Sequence, residues 1–177
     1  MSKISIRTLA SSETADALPA LADILSDCVE GGASVGFMSP YLPADAMPYW
    51  EGVAQAVEDG TTVLIVAERD GDLLGTVQLG IGMMPNQPHR ADLKKLLVHR
   101  KARGLGLSRA LMDAADAEAT RHGRHILVLD TATGSPAEFI YEKLGWQRVG
   151  VIPQYALMPD GSYCGSTFFY KALTTTA

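Results

Sequence analysis

Hydrophobic positions along this 177-residue chain change period several times, and each change marks an element. Residues 3–9 alternate polar with apolar, which predicts a first strand. Leu18, Leu21, Ala22, Leu25 and Val29 then recur at helical spacing, with Ser11 or Ser12 as the N-cap and Gly31 and Gly32 stopping the helix after about Glu30. A second helix opens at Pro43 or Pro48, carries Trp50, Val53, Ala54 and Val57, and closes at Gly60. The β-branched run 61–69, the Asp70-Gly71 pair and the run 73–84 predict an antiparallel hairpin. Two prolines make 85–90 a loop, and 91–98 resumes as a strand.

Past residue 98 the apolar period becomes helical again. Leu107, Ala110, Leu111, Ala114 and Ala115 share one face of a helix, while Arg109, Asp113, Asp116 and Arg121 lie off it. Residues 125–131 are almost continuously apolar, as in a strand covered on both faces. Ser135 and Pro136 fit the N-cap and first position of a short helix through Phe139, Ile140, Tyr141 and Leu144, which Gly145 ends. Strands at 146–151 and 163–173, joined by a Pro159-Asp160-Gly161 turn, complete the order.

Composition narrows what such a chain can do. An apolar content of 47% over residues 1–177 suits one domain with a substantial core. The net charge of −5 argues against general binding to nucleic acid or membrane surfaces. The N-terminus lacks the apolar core of a secretory signal, and no apolar run reaches spanning length. Cys28 and Cys164 supply neither a disulfide framework nor a metal cluster, and no histidine pair has ligand spacing. The expectation is a cytoplasmic protein without metal, with Cys28 in the core.

Against that acidic background, one basic stretch stands out. Between the strand ending at Val98 and the helix beginning near Leu107 lie Arg100, Lys101 and Arg103, together with Gly104 and Gly106; Arg109 follows in the first helical turn. Leading helix N–H groups lack intrahelical partners and sit at the positive end of the dipole, so a phosphate suits this turn. His99 borders it and is a further candidate phosphate contact. The bland alternative is a surface helix that starts at a flexible turn with solvated basic residues. Dinucleotide binding is a second alternative, with Asp130 as the ribose acid, but Arg109 stands where a third glycine belongs and the preceding strands form hairpins.

The stretch Arg103, Gly104, Leu105, Gly106, Leu107, Ser108 resembles the Q/R-x-x-G-x-G/A signature of the GNAT superfamily of acetyl-CoA-dependent N-acetyltransferases, with Ser108 where glycine or alanine is usual. The segment from Ala137 through Tyr141 to Gly145 and Trp146 is similar to the family's A-x-x-x-Y-x-x-x-G-F/W segment. More narrowly, G-G-A-S-V-G-F-M at 31–38, T-x-x-G-S-x-A-E at 131–138 and the late P-D-G turn resemble the tabtoxin-resistance acetyltransferases, which acetylate the amino group of a β-lactam toxin.

The resemblance implies an α/β (α+β) fold: a mixed, mostly antiparallel seven-stranded sheet with about four helices, its fourth and fifth strands splayed around acetyl-CoA. Leu96, Leu97 and Val98 would pair with the pantetheine arm, and Arg103, Gly104, Leu105, Gly106, Leu107, Ser108 and Arg109 would hold the pyrophosphate. Tyr141 is implied as the acid that protonates the departing thiolate. Asp92 and Asp130 are candidates for binding the acceptor ammonium and taking its proton, although either can instead be a solvated strand-end charge. Ser34 and Phe37 would line the acceptor pocket, or their loop merely covers the core. The acceptor is expected to be a small primary amine, tabtoxinine-β-lactam-like or amino-acid-like, attacked directly in a ternary complex; polyamines, aminoglycosides and protein N-termini stay open. Similar proteins are often homodimers, with the two C-terminal strands a reasonable contact. A different class, a non-catalytic acyl-CoA sensor or toxin-sequestering protein, would keep the turn without turnover.

Overall fold

The first helix, α1 (Ser11–Glu30), follows a short strand, β1 (Ser5–Thr8), and the second, α2 (Pro43–Glu58), begins at Pro43. These ranges come from a computed structural model that describes residues 3–173; positions 1–2 and 174–177 of the one-domain reading lie outside the described residues. The chain continues through β2 (Thr62–Arg69), β3 (Asp72–Gly80) and β4 (Arg90–Val98) to a 3-10 turn at Arg100–Ala102 and α3 (Leu107–Arg121). It closes with β5 (Ile126–Ala132), α4 (Pro136–Lys143), β6 (Gln147–Leu157) and β7 (Tyr163–Ala172). The strands form one sheet in the order β1-β2-β3-β4-β5-β7-β6, antiparallel throughout except for β4 beside β5.

Alternation along β2 shows how this sheet is covered. Leu64 and Val66 face α1 and α2, while Val63, Ile65 and Ala67 face the side of α3, so both layers are dry and the strand is apolar at nearly every position. The Asp70-Gly71 hairpin forms as expected, with φ of 56° and 86°, the pair of positive values a tight two-residue turn requires.

Local chemistry moved several boundaries. The N-cap of α1 is Ala10, not a serine: Glu13, three residues on, accepts the Ala10 N–H at 2.8 Å and is itself held by Arg7 at 2.9 Å. β3 stops at Gly80 and does not run on through residue 84, because Ile81 and Gly82 both donate to the Thr61 carbonyl and turn the chain away. β6 runs on past 151 to Leu157 despite Pro153. It is an edge strand, and its ladder slips between Ile152 and Ala156, with Gln154 at φ 53°, so the missing proline N–H is absorbed by a bulge.

Candidate active site

β4 and β5 are hydrogen-bonded only where Arg90, Ala91 and Asp92 pair with Ile126, Leu127 and Val128. Beyond Asp92 they part. The remainder of β4, including Leu96, Leu97 and Val98, pairs with β3 alone on one side, which leaves its other edge facing a gap.

A bulge in β4 shapes that gap. Opposite β3, Thr76 pairs with Leu97 and Gln78 with Lys94, so Val77 faces two residues, and Lys95 takes up the extra one with φ 51°. The bulge reverses the facing of the strand. Ala91 and Leu93 belong to the α3 side, but Leu97 packs with α1 and α2, and Leu96 and Val98 take over the α3 side. Alternation read from the sequence does not reveal this, because the run Leu96, Leu97, Val98 is apolar on both faces.

On the α1–α2 side, Asp130 lies one alternation step beyond the Asp92–Val128 pair, so both acids share a face of the sheet. Their surroundings differ. Asp92 is met by Arg90, Nη1 to Oδ1 at 2.9 Å, whereas Asp130 is exposed and accepts a hydrogen bond from the buried Ser166 hydroxyl at 2.6 Å. Ser166 carried no signal in the sequence; pairing of β5 with β7 brings it there.

Tyr141 approaches from the α3–α4 side, 6% exposed, with its ring against Trp146 and Phe169 at centroid separations of 6.0 and 5.8 Å. Burial, reinforced by the negative charge of Asp130, pushes its hydroxyl up to about 12. It is therefore neutral at physiological pH. Among the described residues it makes no hydrogen bond, which leaves the proton available to something in the gap.

Opposite Asp130, the loop between α1 and α2 places Phe37 on Tyr41 and Tyr49, at 4.7 and 5.4 Å. The Lys95 ammonium sits over this wall, 5.7 Å from the Phe37 ring and 5.4 Å from that of Tyr49. Burial and the neighbouring Lys94 lower its pKa, while Asp130 opposes the shift. Neither Lys95 nor Tyr49 was identifiable as a site residue from the sequence. Ser34 does not reach this wall: its hydroxyl donates to the Leu157 carbonyl at 3.1 Å and lies 3.8 Å from the Cys164 sulfur, tying the loop to β6 and β7.

The basic turn is open and uncapped. Gly104 and Gly106 have φ of 81° and 74°, with empty space where a Cβ would stand, and Gly106 occupies the N-cap of α3 without any side-chain bond to its leading N–H groups. A left-handed N-cap suits glycine, and the emptiness outside it leaves room for an anion against the backbone. Leu107 is buried and anchors the helix, while Arg103, Gly104, Leu105, Gly106 and Arg109 are exposed and Ser108 is partly so. Of the four basic residues expected around the turn, Arg100 is spent elsewhere: its backbone N–H and its Nε both bind Asp27 at 2.8 Å. His99 also turns to α1, lying 3.4 Å from Asp23 and accepting the Lys101 N–H through Nδ1. Lys101, Arg103 and Arg109 remain, the Arg103 side chain also lying within hydrogen-bonding reach of the Cys28 thiol. Cys28 is buried as expected, its thiol 3.6 Å from the Val98 carbonyl. Among the described residues, no group of histidine, cysteine or acidic side chains is placed to hold a metal, and no helix is long and apolar enough to cross a membrane.

Residues 60–148, half of the chain, match the family of the acetyltransferase (GNAT) domain. A curated relative, the L-methionine sulfoximine/L-methionine sulfone acetyltransferase of Pseudomonas paraeruginosa, is 24% identical over 161 residues, 90% of this chain and 91% of that protein. Among solved structures, YncA of Salmonella typhimurium, determined with its cofactor acetyl-CoA, superposes with a TM-score of 0.77 at 20% identity, covering 98% of this chain and 96% of that one. The ribosomal-protein-alanine N-acetyltransferase of Brucella melitensis gives a TM-score of 0.77 at 24% identity over 96% of this chain and 99% of its own.

Proposed function

Because the chain belongs to the GNAT family of acetyltransferases, whose donor is acetyl-CoA, we propose that it transfers the acetyl group to the primary amine of a small, amino-acid-like molecule within a ternary complex. The observation that carries this reading is the gap between β4 and β5, which ends at the uncapped turn of α3 and is flanked by Tyr141 on one face and Asp130 on the other. Residues 103–109 hold the pyrophosphate through backbone N–H groups, with Arg103 and Arg109 supplying charge. The free edge of Leu96, Leu97 and Val98 pairs with the amides of the pantetheine arm.

An amine that is protonated at neutral pH must lose its proton before it attacks. Asp130, which carries no ion pair among the described residues, takes that proton and passes it to solvent; Asp92 shares its face of the sheet, already neutralised by Arg90. As the nitrogen–carbon bond forms, the N–H of Leu97 or Val98 stabilises the oxyanion. When the carbon–sulfur bond breaks, the Tyr141 hydroxyl gives its proton to the sulfur and recovers one from solvent.

The name of the curated relative supports a small α-amino acid as acceptor, and an amino-acid-like β-lactam toxin belongs to the same chemical class. The protein works as a homodimer in the cytoplasm, with β6 as the contact: this edge strand exposes Val149, Val151, Ile152, Tyr155 and Leu157. Free-thiol release with acetyl-CoA and a panel of amines tests the reading, the panel holding L-methionine sulfone, a polyamine, an aminoglycoside and an alanine-terminated peptide. Turnover is expected with the amino acid. Tight acetyl-CoA binding with no thiol released by any amine would replace the transferase with a non-catalytic acyl-CoA sensor or sequestering protein.

A further inference from the structure

The acceptor side of the gap holds two opposite charges on one face of the sheet, and only one of them has a role so far. Lys95 is on that face because the β4 bulge puts it there. Without the extra residue the strand would send this side chain towards α3, on the side of Ala91 and Leu93. Its ammonium is spread over two aromatic faces, and among the described residues no carboxylate forms an ion pair with it. That is an unusual position for a lysine. A half-buried cation is normally neutralised, and ring quadrupoles make up only part of the lost hydration. Burial accordingly lowers its pKa, yet Asp130 is close enough to pull the other way. Of the other basic side chains near the gap, Arg90 serves Asp92 and Arg100 serves Asp27, while Lys94, which neighbours Lys95, is exposed and not against the aromatic wall.

We propose that Lys95 is the specificity-determining residue that binds the acceptor's carboxylate, so that the enzyme selects free α-amino acids over amines lacking an α-carboxylate. An α-amino acid carries an anion and an ammonium on adjacent carbons. Set between Lys95 and Asp130, it supplies the missing counter-charge to one and offers its ammonium to the other. Phe37 and Tyr49 flank its side chain, and Tyr49 is fixed by Gln78, whose carboxamide Nε2 donates to the tyrosine oxygen at 2.9 Å. The inference rests on the acetyl-transfer reading above and adds which amines it serves.

The test compares L-methionine sulfone with its carboxamide, which keeps the amine and loses the negative charge, in the wild-type protein, Lys95→Met and Lys95→Arg. The wild type is expected to prefer the acid, through a lower KM. In Lys95→Met the ratio of kcat/KM for acid over amide should fall about 30-fold, the size of one charge-assisted hydrogen bond pair, with most of the loss in KM. Lys95→Arg should restore much of the ratio, which a purely structural lysine would not require. An unchanged ratio in Lys95→Met overturns the proposal, as does a loss of kcat that is equal for both compounds, which would make Lys95 a base. Turnover of other primary amines but of neither compound also overturns it and leaves acetyl transfer standing, whereas no turnover of any amine removes the reading of the site itself.

Discussion

Replacing Tyr141 with phenylalanine isolates one proton. The ring is packed between Trp146 and Phe169, so phenylalanine keeps its contacts, and the hydroxyl leaves no hydrogen-bond partner behind. Folding stability at neutral pH should change by less than about 1 kcal/mol. The rate should not be so forgiving. A hydroxyl near pKa 12 is weaker as an acid than a thiol at about 8.5, so complete transfer to sulfur is uphill by roughly 5 kcal/mol unless the hydroxyl is reprotonated in step. In the proposed mechanism Tyr141 therefore acts mainly by keeping a hydrogen bond on the departing sulfur, which puts the expected loss in kcat at about 100-fold, the lower end of general acid catalysis. Thiol release at saturating amine and acetyl-CoA measures it, and calorimetry should give an acetyl-CoA Kd within about twofold of wild type. The pKa supplies a second, independent readout. Because the folded value is raised above the usual value of about 10, the neutral hydroxyl contributes stability that is fully present below pH 10 and is lost as pH rises towards 12; the wild type should lose up to about 2.7 kcal/mol relative to Tyr141→Phe over that window and end less stable than the variant. A kcat within threefold of wild type would refute the assignment of Tyr141 as proton donor.

The two acids should separate in a pH profile. Asp130→Asn is expected to lower kcat/KM by about 100-fold at neutral pH, recovering as rising pH frees the amine, while Asp92→Asn stays within about threefold because Arg90 already meets its charge; equal effects would show that the acids act as a pair. In the glycine turn before α3, Gly106→Val forces a β-branched residue to φ 74° and fills the space outside the helix end. It should cost about 1–2 kcal/mol of stability and at least tenfold in acetyl-CoA affinity. Arg103→Glu should weaken acetyl-CoA at least tenfold at low salt and less at high salt, and titration calorimetry that finds no change would remove Arg103 from the cofactor site. Val151→Lys places a charge on the exposed β6 edge and should convert a dimer to monomers in light scattering; a wild-type chain that is already monomeric defeats the dimer proposal.

Much of this molecule was settled by short-range chemistry that any reader of the residues can follow. Asp70-Gly71 makes its hairpin, Ser135 and Pro136 start α4, and Gly104 and Gly106 shape a turn that leaves helix N–H groups bare, because each depends on the φ range or capping atom of a few neighbours. The order of elements and the placement of Tyr141 followed from the same local rules joined to two family-like segments. Other features belong to the tertiary structure alone. Arg100 leaves the basic turn for Asp27 on a distant helix, Arg90 neutralises one of two acids that look alike in the chain, Ser166 arrives beside Asp130 through strand pairing, and a single extra residue in β4 turns Lys95 towards Phe37 and Tyr49. Charge pairing and strand register are set by which segments meet in space, and a chain's local pattern carries no record of its distant partners.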